Sequence, residues 1–409
     1  MCRSIVGRMG AVFAVAWLLT ACAATPQARD AQALQCVETV ARFATFNVYL
    51  NRPSQGQLTR DLIAGDAQAR AVAEVIQRVK PDVLLLNEFD YDASGRTLDL
   101  FVGEYLEVSQ NDVTALSYPF RYLAPSNTGI AAPIDVDKNG VIEGPADAFG
   151  YGRFPGQYAM ALLSVYPIDT PQVRTFQRFL WRDMPGAALP DNLSSAEPED
   201  FYTAEELSLF RLSSKNHWDL PVLIDDQRIH VLAAHPTPAV FDGPEDHNGR
   251  RNHDEIRLWA DYVDGADYLY DDQGGQGGLA DNTRFVIMGD YNADPVDGDS
   301  FNTAINQLLQ HELIDASQVP VSAGGAAAET LDNNKPPHGG DPAADTSDFS
   351  QNLRIDYVLP SKYGLEIIDS GVFWPAPDDP LYRLVGDGDP IVSSDHRLVW
   401  VDVQISECL

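Results

Sequence analysis

The stretch Phe285-Val286-Ile287-Met288-Gly289-Asp290-Tyr291-Asn292-Ala293-Asp294-Pro295 reads as an apolar strand that delivers a glycine, a carboxylate and an amide just before a turn. A short unbroken apolar run bounded by turn signals indicates a strand buried on both faces. At its end, period-two spacing directs Asp290 and Asn292 to one side. A carboxylate and an amide converging there suit the orientation of a water and a phosphoryl oxygen. Asp, Asn and Pro also favour caps and turns, so this stretch alone admits a purely structural reading.

The same design recurs elsewhere in the chain. Residues 42–49 are aromatic and β-branched, a strand with Asn47 near its end. Residues 67–79 place Ala71, Val72, Val75, Ile76 and Val79 at helical spacing, and Lys80-Pro81 stops that helix. A second buried strand follows over 83–88 and ends in Glu88, while the strand 229–234 ends in His235. Near the C-terminus, Ser393-Ser394-Asp395-His396 precedes a strand over 397–403. Asp356 stands inside the apolar strand 353–359, where a buried carboxylate is costly unless paired; His396 is the natural partner. Further strands are predicted over 158–163, 173–176, 220–224, 284–288 and 367–373, and helices over 254–262 and 301–309. Strands outnumber helices and include adjacent pairs, which indicates mixed sheets covered by helices and not a strict βαβ array. Long loops are expected over 109–156, 182–217 and 321–351, with no repeat and no clean linker, so residues 36–409 form one domain.

One polar residue at a strand end is commonplace. Six strands each ending in or carrying Asn, Glu, His, Asp or Asp-His would gather these groups at one edge of the sheets. Oxygen ligands with few cysteines favour Mg²⁺, Mn²⁺ or Ca²⁺ over structural zinc.

In this order, Phe46-Asn47, Leu86-Asn87-Glu88, His235, Gly289-Asp290-Tyr291-Asn292, Arg354-Ile355-Asp356-Tyr357 and Ser394-Asp395-His396 resemble the motifs of the endonuclease/exonuclease/phosphatase superfamily, with its deoxyribonuclease I-like fold. The resemblance implies an α/β four-layer sandwich of two packed mixed β-sheets flanked by helices. It further implies Glu88 as principal metal ligand, assisted by Asn47 and Asp395, with Mg²⁺ or Mn²⁺ bound. Asp290 and Asn292 would position the attacking water and a phosphate oxygen. His396, oriented by Asp356, would contact the scissile phosphate, and His235 would lie on the leaving-group side. The implied chemistry is in-line attack of water on phosphorus.

Charge narrows the substrate. There are 28 Lys and Arg against 60 Asp and Glu, a formal net charge of −32. That disfavours a nucleic acid, whose non-specific binding relies on cationic side chains displacing counterions. A phosphomonoester or small phosphodiester is the favoured substrate. An extracellular nuclease is the alternative within the family, and a non-catalytic binding protein the alternative from another class. The local basic cluster, Asn248-Gly249-Arg250-Arg251-Asn252-His253, offers Arg250 and Arg251 to a phosphate, or else to helix capping and ion pairs. Asp135-Val136-Asp137-Lys138-Asn139-Gly140 matches the first half of an EF-hand loop, though the twelfth position is Ala146; Asp135, Asp137 and Asn139 would ligate a structural Ca²⁺, or else form an acidic turn. Residues 150–158, with Tyr151 and Tyr158, are expected to line the site's mouth.

The N-terminus reads as a targeting segment. Arg3 and Arg8 precede a short apolar run over 9–19 that ends in Leu19-Thr20-Ala21-Cys22, which resembles a bacterial lipobox. Residues 1–22 are therefore expected to be a signal peptide of lipoprotein type and 23–35 a tether. The product would be exported and held at a membrane, periplasmic or extracellular, through a lipid on Cys22. Cys36 and Cys408 flank the first and last strands of the domain and are expected to form a disulfide.

Overall fold

The computed structural model describes residues 38–331, 339–349, 351–386 and 390–406, all within the unit Val37–Leu409. Eleven strands are described: β1 (Glu38–Leu50), β2 (Val83–Phe89), β3 (Phe120–Tyr122), β4 (Met160–Ser164), β5 (Arg174–Thr175), β6 (His217–Ile224), β7 (Gln227–Ala234), β8 (Phe285–Asp290), β9 (Asp356–Pro360), β10 (Leu365–Val372) and β11 (Val399–Ser406). The helices are α1 (Gln57–Ala64), α2 (Ala67–Val79), α3 (Arg96–Phe101), α4 (Ala204–Leu207), α5 (His247–Val263), α6 (Asn306–Leu309) and α7 (Ala323–Leu331).

The strands form two mixed sheets, in the orders β10-β11-β1-β2-β4-β3 and β5-β6-β7-β8-β9. Each sheet carries one parallel pair, β1 with β2 and β7 with β8. A helix intervenes in each connection: α2 before β2, α5 before β8. All other pairings are antiparallel.

The side-chain period of two explains the layering. In β1, Ala41 and Phe43 face the second sheet, while Ala44, Phe46 and Val48 face the helices. In β7 and β8, Val231, Ala233, Val286 and Met288 face the first sheet, while Leu232, Ala234 and Ile287 meet α5. Helices α1 to α3 cover the outer face of the first sheet through Leu58, Leu62, Val72, Ile76, Leu98 and Phe101. Helix α5 covers the second through Ile256, Trp259 and Tyr262. The result is the four-layer sandwich expected.

Helix α2 has the bounds expected from its spacing. The Asp66 side chain accepts the Ala69 N–H (2.7 Å) at its start, and Lys80 ends it in the left-handed conformation ahead of Pro81. Other boundaries differ. Helix α5 begins at His247, seven residues before the expected start. Strand β4 starts at Met160 because Tyr158 has φ of 58°. The strand expected over 353–359 begins only at Asp356, because the Arg354 N–H donates to Asp294 (2.7 Å) and not to a neighbouring strand. The three expected loops contain β3 and α4, too short to show periodicity, and α7, whose Ala- and Gly-rich sequence presents no apolar stripe.

β1 and β11 are neighbours in one sheet, the arrangement behind the expected Cys36–Cys408 pairing. Both cysteines, Cys22, the targeting segment and the tether lie outside the described residues. Among the described residues, no helix is long and apolar enough to cross a membrane.

Candidate active site

Alternation along the strands builds the site. Asn47 continues the row of Ala41 and Phe43, His235 that of Val231 and Ala233, and Asp290 that of Val286 and Met288, so all three enter the layer between the sheets. Asp356 stands opposite Asp290 in the β8–β9 register. The turn before β11 adds Asp395 and His396. Glu88 is the exception, since strict alternation would send it with Leu84 and Leu86 toward the helices. Its φ of 55° interrupts the pleat, beside a register shift between Asn47 and Leu50.

Asp290 is the hub. Its Oδ2 accepts the Asn47 amide (3.0 Å) and lies 3.4 Å from His235 Nε2 and 3.7 Å from His396 Nε2. Its Oδ1 accepts the Asn292 N–H (3.0 Å). The expected partner of the buried Asp356 is present: His396 Nδ1 lies 2.9 Å from Asp356 Oδ2, which also accepts the Thr346 hydroxyl (2.8 Å). That contact puts the Nδ1 proton toward Asp356 and leaves Nε2 facing Asp290 and Asn47. Ligand atoms of Asp290, Asp356 and His396 lie within 4.8 Å of one another.

Burial works against a charged His396, but Asp356, Asp290 and Asp395 outweigh it and push its pKa up to about 10. The proton of the His396–Asp356 pair therefore resides on the imidazole. His235 is the opposite case: burial, then the charges of Lys215 and His396, drive its pKa well below the ordinary value, so it is neutral. Its Nδ1 is buried and has no hydrogen-bond partner among the described residues. Two histidines beside one carboxylate thus hold different protonation states.

Glu88 accepts the Asn51 amide (2.8 Å). Burial, with Asp395 and Asp290 adding to it against His396, pushes its carboxyl up to about 7. Crowded carboxylates of this kind fit a hard divalent cation, whose charge would restore ionisation. Asn47 Oδ1 takes the Tyr49 N–H (3.2 Å) and keeps a second lone pair. Asn292 differs from its expected placement: β8 ends at Asp290, and Asn292 adopts φ of 49° with its amide donating to the Pro236 carbonyl (3.2 Å).

The two arginines do not turn to this centre. Because α5 starts early, both lie in its first turns. Arg251 is buried and donates to the carbonyls of Leu212 (2.8 Å), Phe149 (2.5 Å) and Arg211 (3.0 Å). Arg250 reaches the Leu189 carbonyl (3.3 Å) and stacks on Phe301. In the EF-hand-like segment, carboxylates of Asp135 and Asp137 converge with that of Asp147, the residue after the expected twelfth position. Asn139 accepts the Val141 N–H (2.9 Å) there. Tyr158 and Tyr151 lie with rings 6.5 Å apart, and the Glu88 charge reaches Tyr158.

Several residues of the site gave no sequence signal. Thr346 accepts the Ile355 and Asp356 N–H groups (both 3.0 Å) and fixes the Asp356 carboxylate. Ser394 donates to the Asn47 carbonyl (2.6 Å) and accepts the His396 N–H (3.0 Å), tying the last turn to β1. Phe349 packs edge-on against His396. Lys215, 7% exposed, donates to the Pro236 carbonyl (3.3 Å). Of these only Ser394 stood within a quoted motif.

No curated relative matches the sequence. Among solved structures, an endonuclease/exonuclease/phosphatase from Beutenbergia cavernae is 15% identical with a TM-score of 0.48, covering 90% of this chain and 72% of that one. Sphingomyelinase C from Streptomyces griseocarneus is 13% identical with a TM-score of 0.44, covering 89% and 99%. A Staphylococcus aureus beta toxin mutant with bound magnesium ions is 13% identical with a TM-score of 0.41, covering 90% and 100%. The family model described as Endonuclease/Exonuclease/phosphatase matches residues 44–396, from the strand that carries Asn47 to His396 itself. The chain belongs to the Endonuclease/Exonuclease/phosphatase family.

Proposed function

We propose that this protein is a metal-dependent phosphoesterase that hydrolyses a phosphomonoester or small phosphodiester by in-line attack of water. The observation that carries the reading is the convergence of Asn47, His235 and His396 on Asp290, with His396 braced by Asp356. Family membership supports phosphoester hydrolysis in general; the substrate preference rests on charge.

Glu88, Asp395 and the free lone pair of Asn47 would hold the cation, whose oxygen donors suit Mg²⁺ or Mn²⁺. When bound, it supplies Lewis-acid charge to a phosphoryl oxygen. Asp290 takes the proton from the attacking water, since His396 already carries its own. His396 donates from Nε2 to the phosphoryl oxygen as charge develops. Neutral His235 stands on the leaving-group side, and Asn292 orients a phosphoryl oxygen.

Turnover of p-nitrophenyl phosphate, bis-p-nitrophenyl phosphate and plasmid DNA with Mg²⁺, Mn²⁺ or EDTA tests this, with Asp290→Ala as control. Metal-dependent ester hydrolysis, reduced at least about 10³-fold in the variant, is expected. Cleavage of DNA alone would make the protein a nuclease and sink the small-substrate reading. We propose in addition that the chain is exported and lipidated on Cys22, with Cys36 paired to Cys408. Cys22→Ser should move it from the membrane to the soluble fraction, and non-reducing peptide mapping should recover the linked cysteines.

A further inference from the structure

Lys215 lies in the segment that leads from α4 into β6, and its neighbours hold that segment rigid. Ser213 Oγ meets His217 Nδ1 (2.7 Å), and the Ser214 N–H and hydroxyl donate to Glu255 (2.6 and 3.0 Å). The Asn216 amide donates to the Pro125 carbonyl (3.0 Å), and the Lys215 carbonyl accepts the Asn127 N–H (2.8 Å). The side chain of Lys215 is the exception to this saturation. An ammonium has three donors. Among the described residues it has one acceptor, the Pro236 carbonyl at 3.3 Å, and no ion pair.

That acceptor locates the charge. Pro236 follows His235, and its carbonyl oxygen also takes the Asn292 amide at 3.2 Å. The ammonium of Lys215 and the amide of Asn292 therefore converge on one oxygen beside His235. Burial works against the charged form of Lys215 and lowers its pKa, while the carboxylates of Glu255, Asp290 and Glu88 favour the charge and Arg251 opposes it. Glu255 already accepts from Ser214 and from the Thr237 N–H (2.7 Å). A buried cation with so few partners is costly where it stands and acquires a strong one only when an anion enters. An anion also needs it: carboxylates crowd the centre, and Arg250 and Arg251 are held elsewhere.

We propose that Lys215 grips a non-bridging oxygen of the substrate's phosphoryl group on the His235–Asn292 side, as a fixed point charge that favours a doubly charged phosphate. This rests on the phosphoester reading and adds a substrate contact to it. The contact forms no covalent bond and transfers no proton.

The test compares the full chain with Lys215→Met, which keeps the apolar stem, and with Lys215→Arg. The readouts are inorganic phosphate binding by calorimetry, thermal melting, and turnover of p-nitrophenyl phosphate with Mg²⁺. Lys215→Met should weaken phosphate binding at least about tenfold and lower kcat/KM by about 10²-fold. Lys215→Arg should retain most of the binding. The methionine variant should melt no lower than the parent, because an unpaired buried charge has been removed; a lysine with a structural role predicts the reverse. Lys215→Gln, which keeps a donor without the charge, gives a second comparison, and failure of both variants to fold would overturn the proposal in favour of a structural lysine. Phosphate affinity within twofold of the parent, or a parent that binds no phosphate, would overturn the proposal. Lys215-dependent phosphate binding without ester turnover would overturn the phosphoesterase reading and leave the Lys215 contact standing.

Discussion

The pairing of Asp356 with His396 sets the pH behaviour of the centre. His396 is pushed up to about 10 from an ordinary 6.5, so the folded state holds a proton that the unfolded chain releases near neutrality. Its contribution to stability is complete below about pH 6.5 and is lost as pH rises through about 10. Asp356→Asn removes the largest charge favouring that proton. The variant should lose about 10²–10³-fold in kcat, and the alkaline limb of its pH–rate profile should move to lower pH. Tracking the His396 ring by NMR titration in both proteins checks the cause; an unmoved limb would show that another group titrates there. At this scale the sequence was informative wherever a polar residue ended an apolar strand, since a buried carboxylate demands a partner. It was silent on Thr346 and Lys215, which are held largely by backbone groups that leave no pattern of residue types. For Arg250 and Arg251 it left two readings open, phosphate binding or capping and ion pairs; the carbonyl oxygens that accept from Arg251 leave no trace in composition.

At the scale of elements, β8 depends on a close approach to β7. Gly289 has φ of 156° and faces Ala234 in the parallel register, where a Cβ would be driven into the Ala234 carbonyl oxygen. The obstructing carbonyl is backbone of the paired strand and cannot swing aside as a side-chain tip would. Gly289→Ala should therefore destabilise the fold by about 3 kcal/mol and displace Asp290, with activity lost even where the protein remains folded. Urea denaturation and turnover together test this, and a variant of parental stability and rate would show that the strands can part. The strands of both sheet centres were legible because their apolar runs are unbroken and bounded by turn signals. The left-handed turns at Glu88, Tyr158 and Asn292 were not, since nothing local requires them and tertiary contacts impose them. They account for the misjudged start of β4 and for the amide of Asn292 lying on Pro236.

For the whole molecule, a net charge of −32 repels anionic substrates over distances that salt shortens. Raising ionic strength from about 0.02 to 0.2 M at saturating Mg²⁺ should raise kcat/KM for p-nitrophenyl phosphate a few-fold and leave kcat nearly constant. A fall would mean that local cations dominate the approach. Neither the sheet order nor the depth of the site could be read from composition, because both arise from pairings between distant segments.

One such pairing has a consequence in time. Asn47 and His396 meet across 349 residues, and Asn47 meets Asp290 across 243. The reactive centre is therefore completed only when the last strand docks beside the first, and long-range closures of this kind are slow. A nascent, truncated or half-refolded chain should therefore be chemically inert. In refolding, activity should return with the slowest phase, after most helical signal has recovered. A hydrolase built this way is disarmed throughout its synthesis and arms itself on completion.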